Sequence, residues 1–174
     1  LAQSWKFRKC KIKSTDGLVL DSGLVVFFES PHSYTGEDVV EFHCHGNPTI
    51  VNLIVEDVVK RGAVIAEPGE FTKTAFLNDK IDLAQAESVS DLINAQSKSA
   101  VIAANSSLSG NFSSSVDLII RGLVSTRVMI EAHIDFPEEE IDSDLLESIS
   151  CELSGFSKDI DRLLAEAVKS MRLR

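Results

Sequence analysis

At 174 residues, with 44% hydrophobic and 25% charged side chains, the chain has the make-up of one large or two small globular domains. Its net charge of −10, from 27 acidic and 17 basic residues, argues against a broad phosphate-binding surface of its own. No apolar run approaches the ~20 residues that span a bilayer, and Leu1 does not open a signal-peptide layout, so neither membrane nor secretion is expected.

Composition divides the chain near Lys80, predicting an α+β domain over 1–80 and an all-α domain over 81–174. In "WKFRKCKIK", Lys9, Lys11 and Lys13 alternate with Cys10 and Ile12, as on a half-buried strand with a solvated, edge-protecting lysine face. "STDGLVLDSGLVVFFES" reads as a hairpin with turn signals at Asp16-Gly17 and Ser22-Gly23 and an apolar strand over Leu24 to Phe28. "EDVVEFHC" is the next strand. A helix follows, capped by Asn47, with Pro48 in its first turn and Gly62 just past its end. Ala63 to Ala66 reads as a short strand stopped by Pro68-Gly69, and "EPGEFTKTAFLNDKIDLAQAE" reads as an amphipathic link that docks the two domains.

The second domain opens at Asp82, which can cap while Gln85 reaches back, and neither Gly nor Pro interrupts before Gly110. A helix that long would reach ~40 Å. A second helix is expected over roughly 112–134, broken at Pro137, and a third from about Ser143. In the third, Leu146, Ile149, Leu153, Phe156, Ile160, Leu163 and Ala167 recur at steps of three and four, a heptad seam for shallow helix packing. Three long antiparallel helices follow, with a fourth absent from the sequence.

"TGEDVVEFHCHG", Thr35 to Gly46, is the stretch richest in chemistry. Strand alternation turns Val40, Phe42 and Cys44 to the core and places Glu41, His43 and His45 on the other face. Glu41 is open to two readings: a solvated carboxylate, or an acceptor of two parallel hydrogen bonds from a flat donor pair such as arginine or the 2-amino-pyrimidinone edge of a pterin or guanine. His43 and His45 are either hydrogen-bonded strand residues or the start of a metal site, for which no third ligand of matched spacing is visible among His32 and His133. Lys80 can pair with a neighbouring acid. Phosphate-loop, dinucleotide and nucleophile-elbow motifs are absent. Three cysteines, Cys10, Cys44 and Cys151, form no C-x-x-C pair and fit a reducing, cytoplasmic setting, with Cys10 and Cys44 read as small buried hydrophobes.

"SYTGEDVVEFHCHG", "PGEFTKTAFLNDKIDLAQAESVSDLI" and "IEAHIDFPEEEID", in this order, closely resemble the MnmE (TrmE) family of tRNA-modification GTPases across essentially the whole chain. The resemblance implies an N-terminal α+β domain with a mixed sheet, similar to folate-dependent one-carbon enzymes of the GcvT type, that forms a homodimer and binds 5-formyl-tetrahydrofolate. It also implies a helical domain into which a Ras-like G domain is inserted, with GTP, Mg2+ and K+ belonging to that G domain. With the flavoprotein MnmG (GidA), such proteins add an aminomethyl or carboxymethylaminomethyl group to C5 of the wobble uridine of certain tRNAs. The family's folate-binding glutamate falls on Glu41 and its folate-binding lysine on Lys80; no catalytic residue and no metal ligand falls in this chain. The family's opening strand with its folate-contacting arginine, its G-domain motifs and its Cys-containing C-terminal segment are not in the sequence, so no GTP hydrolysis is expected from this chain alone. Two other readings remain, a purely structural dimerisation scaffold and a metal-dependent hydrolase built on His43 and His45.

Overall fold

The described residues, 4–135 and 143–171 of the computed structural model, form three strands followed by six helices. Contacts divide the chain into two compact units, Leu1–Ile81 and Asp82–Arg174. Strands β1 (Arg8–Lys13), β2 (Val19–Phe28) and β3 (Val39–His43) make a sheet in the order β1-β2-β3. Both pairings are antiparallel, where a mixed sheet was expected.

The β1–β2 hairpin turns at Asp16-Gly17. Gly17 takes φ 83° and donates its N–H to Ser14 O at 2.9 Å. Ser22-Gly23 is not a turn but lies inside β2. The glycine there serves close approach, since a Cβ on Gly23 would stand 2.1 Å from the His43 carbonyl oxygen. Cys10 and Cys44, read as buried, are only half-buried, and Cys151 is exposed.

Burial across the sheet differs from the pattern read in the sequence. Val40 and Phe42 are 50% and 47% exposed, while Val26, directly opposite Glu41, is 1% exposed. Cover is partial on both faces: Cys10, Ile12, Val25 and Phe27 are half-buried on the Val40 side, while on the Glu41 side Val26 is buried beside an exposed Glu41. Ser33, Tyr34 and Lys80 gather with Glu41 on that second side, which alternation within β3 could not reveal.

Helix α1 (Pro48–Lys60) starts as expected, with Asn47 Oδ1 accepting from Thr49 N–H at 2.8 Å and Pro48 in the first turn. Gly62 follows at φ 104°. The inward Asp57 accepts from Thr15 N–H at 2.6 Å, Thr15 Oγ1–H at 2.8 Å and Arg61 Nε–H at 2.7 Å, joining α1 to the hairpin. Those bonds, led by the Thr15 backbone N–H, lower its pKa to about 2. The 63–66 segment forms no strand: it has no ladder partner among the described residues, and Val64 and Ile65 are 90% and 72% exposed.

The link also holds a helix that its sequence did not announce, α2 (Glu70–Leu77). Its N-cap is Gly69 at φ 81° with no side-chain cap, so the usual Ser, Thr, Asp or Asn signal is missing.

In the second unit the capping box forms: Asp82 Oδ1 accepts from Gln85 N–H at 2.9 Å, and Gln85 Oε1 accepts from Asp82 N–H at 3.0 Å. The single long helix does not. It is divided into α3 (Leu83–Asn94) and α4 (Lys98–Leu108), because Ala95 is extended and Ser97 caps a new helix by accepting from Ala100 N–H at 3.1 Å. Gln85 Nε2 then donates to Leu108 O at 2.9 Å, tying the start of α3 to the end of α4.

With α5 (Asn111–Asp135) and α6 (Ser143–Met171), the described residues of this unit contain four helices rather than three. The expected break at Pro137 lies outside the described residues. A Cβ on Gly122 would stand 2.4 Å from Phe156 Cζ, and the buried Thr126 donates to Glu152 Oε2 at 2.9 Å. Gly122 meeting Phe156 and Thr126 meeting Glu152 make α5 and α6 antiparallel. The heptad seam of α6 is covered along one line only. Ile149, Phe156 and Leu163 are half-buried, while Leu146, Leu153 and Ile160 are exposed.

Candidate functional site

An open cleft of about 570 Å³ lies on the side of the sheet that carries Glu41. Trp5, Phe28, His32, Ser33, Tyr34, Val39, Glu41 and Lys80 line it. Val39 pairs with Phe28, and Glu41 with Val26, so β2 and β3 supply the floor.

The 29–38 loop supplies one wall, and short polar side chains fix its path. Ser30 N–H donates to Asp38 Oδ1 and Ser30 Oγ–H to Gly36 O, both at 2.8 Å. Ser33 Oγ–H donates to Glu37 O, and Glu37 N–H to Thr35 Oγ1. Ser33 and Thr35 are buried, so these bonds satisfy groups that would otherwise be costly there. Tyr34 OH meets Thr72 Oγ1 of α2 at 3.0 Å. Trp5 takes φ 63°, donates its N–H to Phe27 O at 2.9 Å and stands edge-on to Phe28, with ring centroids 4.8 Å apart.

The lysine arrives on the turn that ends α2. Asp79 N–H donates to Phe76 O and Lys80 N–H to Ala75 O, the paired bonds of a Schellman motif, with Asp79 left-handed at φ 54°. Asn78 Nδ2–H donates to Thr35 O at 2.8 Å. Lys80 Nζ donates to Pro31 O at 2.8 Å rather than to an acid, so it does not neutralise Glu41.

Glu41 Oε2 lies 3.2 Å from His43 Nε2, with both side chains about half exposed. The His43 ring also meets the edge of Phe7 at 5.3 Å between centroids. His45 leaves this group. It lies beyond the end of β3, where its ring Nδ1 and its backbone N–H each meet an oxygen of Asp21 at 2.8 Å. The His45 backbone N–H is the largest cause of Asp21's lowered pKa, followed by the His45 ring and the Ser22 N–H. The three side chains read onto one face are therefore split into two pairs. Among the described residues, no group of three His, Cys, Asp or Glu is placed to hold a metal ion. His133 sits on α5 with Nδ1 2.9 Å from Met129 O.

The structure thus brings Glu41 and Lys80 to one cleft and separates His45 from both. Sequence reasoning missed Trp5, Phe28, His32, Ser33, Tyr34 and Val39 as lining residues. Ser33 and Tyr34 sit within the motif stretch, but Trp5 reaches the cleft through pairing with Phe27, which no local pattern signals. Chemically, the cleft offers a carboxylate acceptor, an ammonium donor not paired with it, and aromatic walls. That set suits a flat heterocycle with a donor edge and an acceptor group.

Residues 2–80 match the family model described as "GTP-binding protein TrmE N-terminus", and residues 83–174 match "MnmE helical domain". Curated relatives carrying the name tRNA modification GTPase MnmE include those of Hydrogenovibrio crunogenus, 48% identical over 91% of this chain and 35% of the relative. That of Neisseria meningitidis serogroup B is 48% identical over 92% of this chain and 36% of the relative. That of Stutzerimonas stutzeri is 46% identical over 91% and 35%. The chain spans about a third of the length of these relatives. Two family models in consecutive order, with nearly half the residues identical to these relatives, mean that the chain belongs to the MnmE (TrmE) family of tRNA-modification proteins.

Proposed function

We propose that this chain is the folate-binding and dimerisation part of a GTP-hydrolysing tRNA-modification protein. Its first unit binds 5-formyl-tetrahydrofolate and pairs with a second copy. The whole protein acts in the cytoplasm with the flavoprotein MnmG (GidA) on C5 of the wobble uridine of certain tRNAs. GTP, Mg2+ and K+ belong to a G domain outside this chain, so the chain alone turns over no GTP.

The observation that carries the folate reading is the convergence of Glu41 and Lys80 on one aromatic-walled cleft while Lys80 is bonded elsewhere. Glu41 on a strand is a rigid acceptor for the two parallel N–H donors of a pterin edge. Lys80 suits a carbonyl or carboxylate of the same ligand. Trp5 and Tyr34 add aromatic lining against which a heterocycle can pack.

Calorimetric titration of the full-length protein with 5-formyl-tetrahydrofolate tests this. Glu41→Gln keeps the size of the side chain but turns one acceptor oxygen into a donor amide facing a donor. Affinity is expected to fall about ten- to a hundredfold. Glu41 faces an open cleft, so melting should be almost unchanged. Equal affinity in the two proteins would return Glu41 to a solvated strand residue and leave the scaffold role alone.

A further inference from the structure

We propose that Asn78, which does not line the cleft, is the residue that positions Lys80 within it. A lysine stem has among the largest rotamer freedom of any side chain, so an ammonium fixed in one place needs constraints along its length. Three are present. The Schellman turn sets the backbone direction at Lys80 through Asp79 N–H to Phe76 O and Lys80 N–H to Ala75 O. Asn78 Nδ2–H then ties that turn to the carbonyl of the buried Thr35 at 2.8 Å. Gly36, next to Thr35, leaves room for the stem. A Cβ there would stand 3.2 Å from Asn78 Cβ and 3.3 Å from Lys80 Cγ and Cδ. The Lys80 stem and Asn78 Cβ therefore lie together against Gly36, and the Asn78–Thr35 bond holds the turn to that stretch of the loop. It ends with Nζ on Pro31 O at 2.8 Å.

Without the Asn78 amide, α2 and its turn keep, among the described residues, only the Tyr34–Thr72 bond and the lysine's own terminal bond to the loop. The already exposed ammonium then leaves Pro31 O more often. The role this gives Lys80 toward a ligand rests on the folate reading, whereas the positioning itself does not.

Two arms separate these. Lysines of the full-length protein are labelled with limiting acetic anhydride and quantified by peptide mass spectrometry, taking Lys80 relative to the likewise exposed Lys9 and Lys11 of β1, so that the ratio reads the hydrogen bond to Pro31 O rather than burial. Lys80 should label more slowly than both in the wild type. Asn78→Asp keeps the shape and replaces the donating amide with an oxygen facing the Thr35 carbonyl. It should raise the relative labelling of Lys80 about three- to tenfold, the factor for losing one hydrogen bond. Asn78→Ala, which adds no charge, should do the same. Asp79→Gly, which relieves the left-handed φ and keeps the turn, should not. In the second arm, Asn78→Asp should weaken 5-formyl-tetrahydrofolate by a similar factor.

An Asn78 that is only structural would lower the melting point while the Lys80-to-Lys9 ratio stays at its wild-type value, and that result overturns the proposal. So does a wild-type Lys80 that labels as fast as Lys9. A wild type that binds no folate overturns the reading of the cleft instead, and the labelling ratio still decides the positioning.

Discussion

In the α+β unit the 29–38 loop is held by hydroxyl and amide side chains bonding to backbone, from Ser30, Ser33, Thr35 and Asn78. In the helical unit the Asp82 carboxylate and the Ser97 hydroxyl act at helix starts, and the contact between α5 and α6 joins a steric element, Gly122 against Phe156, to one hydrogen bond, Thr126 to Glu152. Directional bonds fix a point and leave space beside it, which is what a binding cleft requires. Interdigitated side chains fill the space at their own contact. The proposed ligand chemistry of the first unit rests on bonds of the first kind.

The largest break in this contrast is expected from Gly122→Leu. An added Cβ meets the Phe156 ring at 2.4 Å, and a larger side chain has nowhere to go without separating the helices. Glycine-to-leucine gains about 1 kcal/mol of helix propensity, but overpacking typically costs about 1–3 kcal/mol. Leucine's bulk at so short a distance puts the clash ahead. Denaturation followed at 222 nm should show the loss. The fluorescence of Trp5, the one tryptophan in the sequence, checks whether the loss stays outside the first unit.

Ser97→Ala tests the helix division. It removes the side-chain acceptor for Ala100 N–H, and such caps are worth about 1 kcal/mol. A drop in helical stability of that size is expected, again by circular dichroism. No change would mean that Ser97 does not hold the start of α4.

The smallest effect at neutral pH is expected from Asp57→Asn, which can still accept from Thr15 and whose partner Arg61 is half in solvent. Its signature is in the acid limb. A carboxyl lowered to about 2 in the folded chain contributes stability that is fully present above its unfolded value near 4. That contribution is lost as pH falls from about 4 to about 2. The wild-type melting point should therefore fall more steeply over that window than that of Asp57→Asn. Parallel curves would remove Asp57 from the acid response.

Features written within a few residues were legible in the sequence. Asn47-Pro48 and Asp82 with Gln85 announce helix starts because capping is local chemistry, and both form. Glycine was legible only in part: Asp16-Gly17 turns, while Gly23 uses its missing side chain for contact with β3. Helix α2 was illegible because a left-handed glycine replaces the usual cap, and the split at Ala95 because Ser97 resembles its many serine neighbours. Glu41 and Lys80 were found through motifs. Their meeting in one cleft depends on the 29–38 loop, which Asn78 and Lys80 join from 43 and 49 residues away. Alternation in β3 gave the two faces correctly but not their degree of cover: Val40 and Phe42, read as core, are half exposed, since cover comes from distant chain.

The two ties that close the cleft, Asn78 to Thr35 and Lys80 to Pro31, join residues 43 and 49 apart in the chain. The bonds that start α3 and α4 span three residues. Bringing distant residues together costs loop entropy before any contact repays it, so helices rich in near-neighbour bonds form quickly and long-range closures come late. During refolding, ellipticity at 222 nm should therefore recover before the fluorescence of Trp5 on the cleft wall. A ligand of the cleft, added during refolding, would act on the last closure rather than on the first. Simultaneous recovery of the two signals in stopped-flow mixing would show that the cleft closes with the helices.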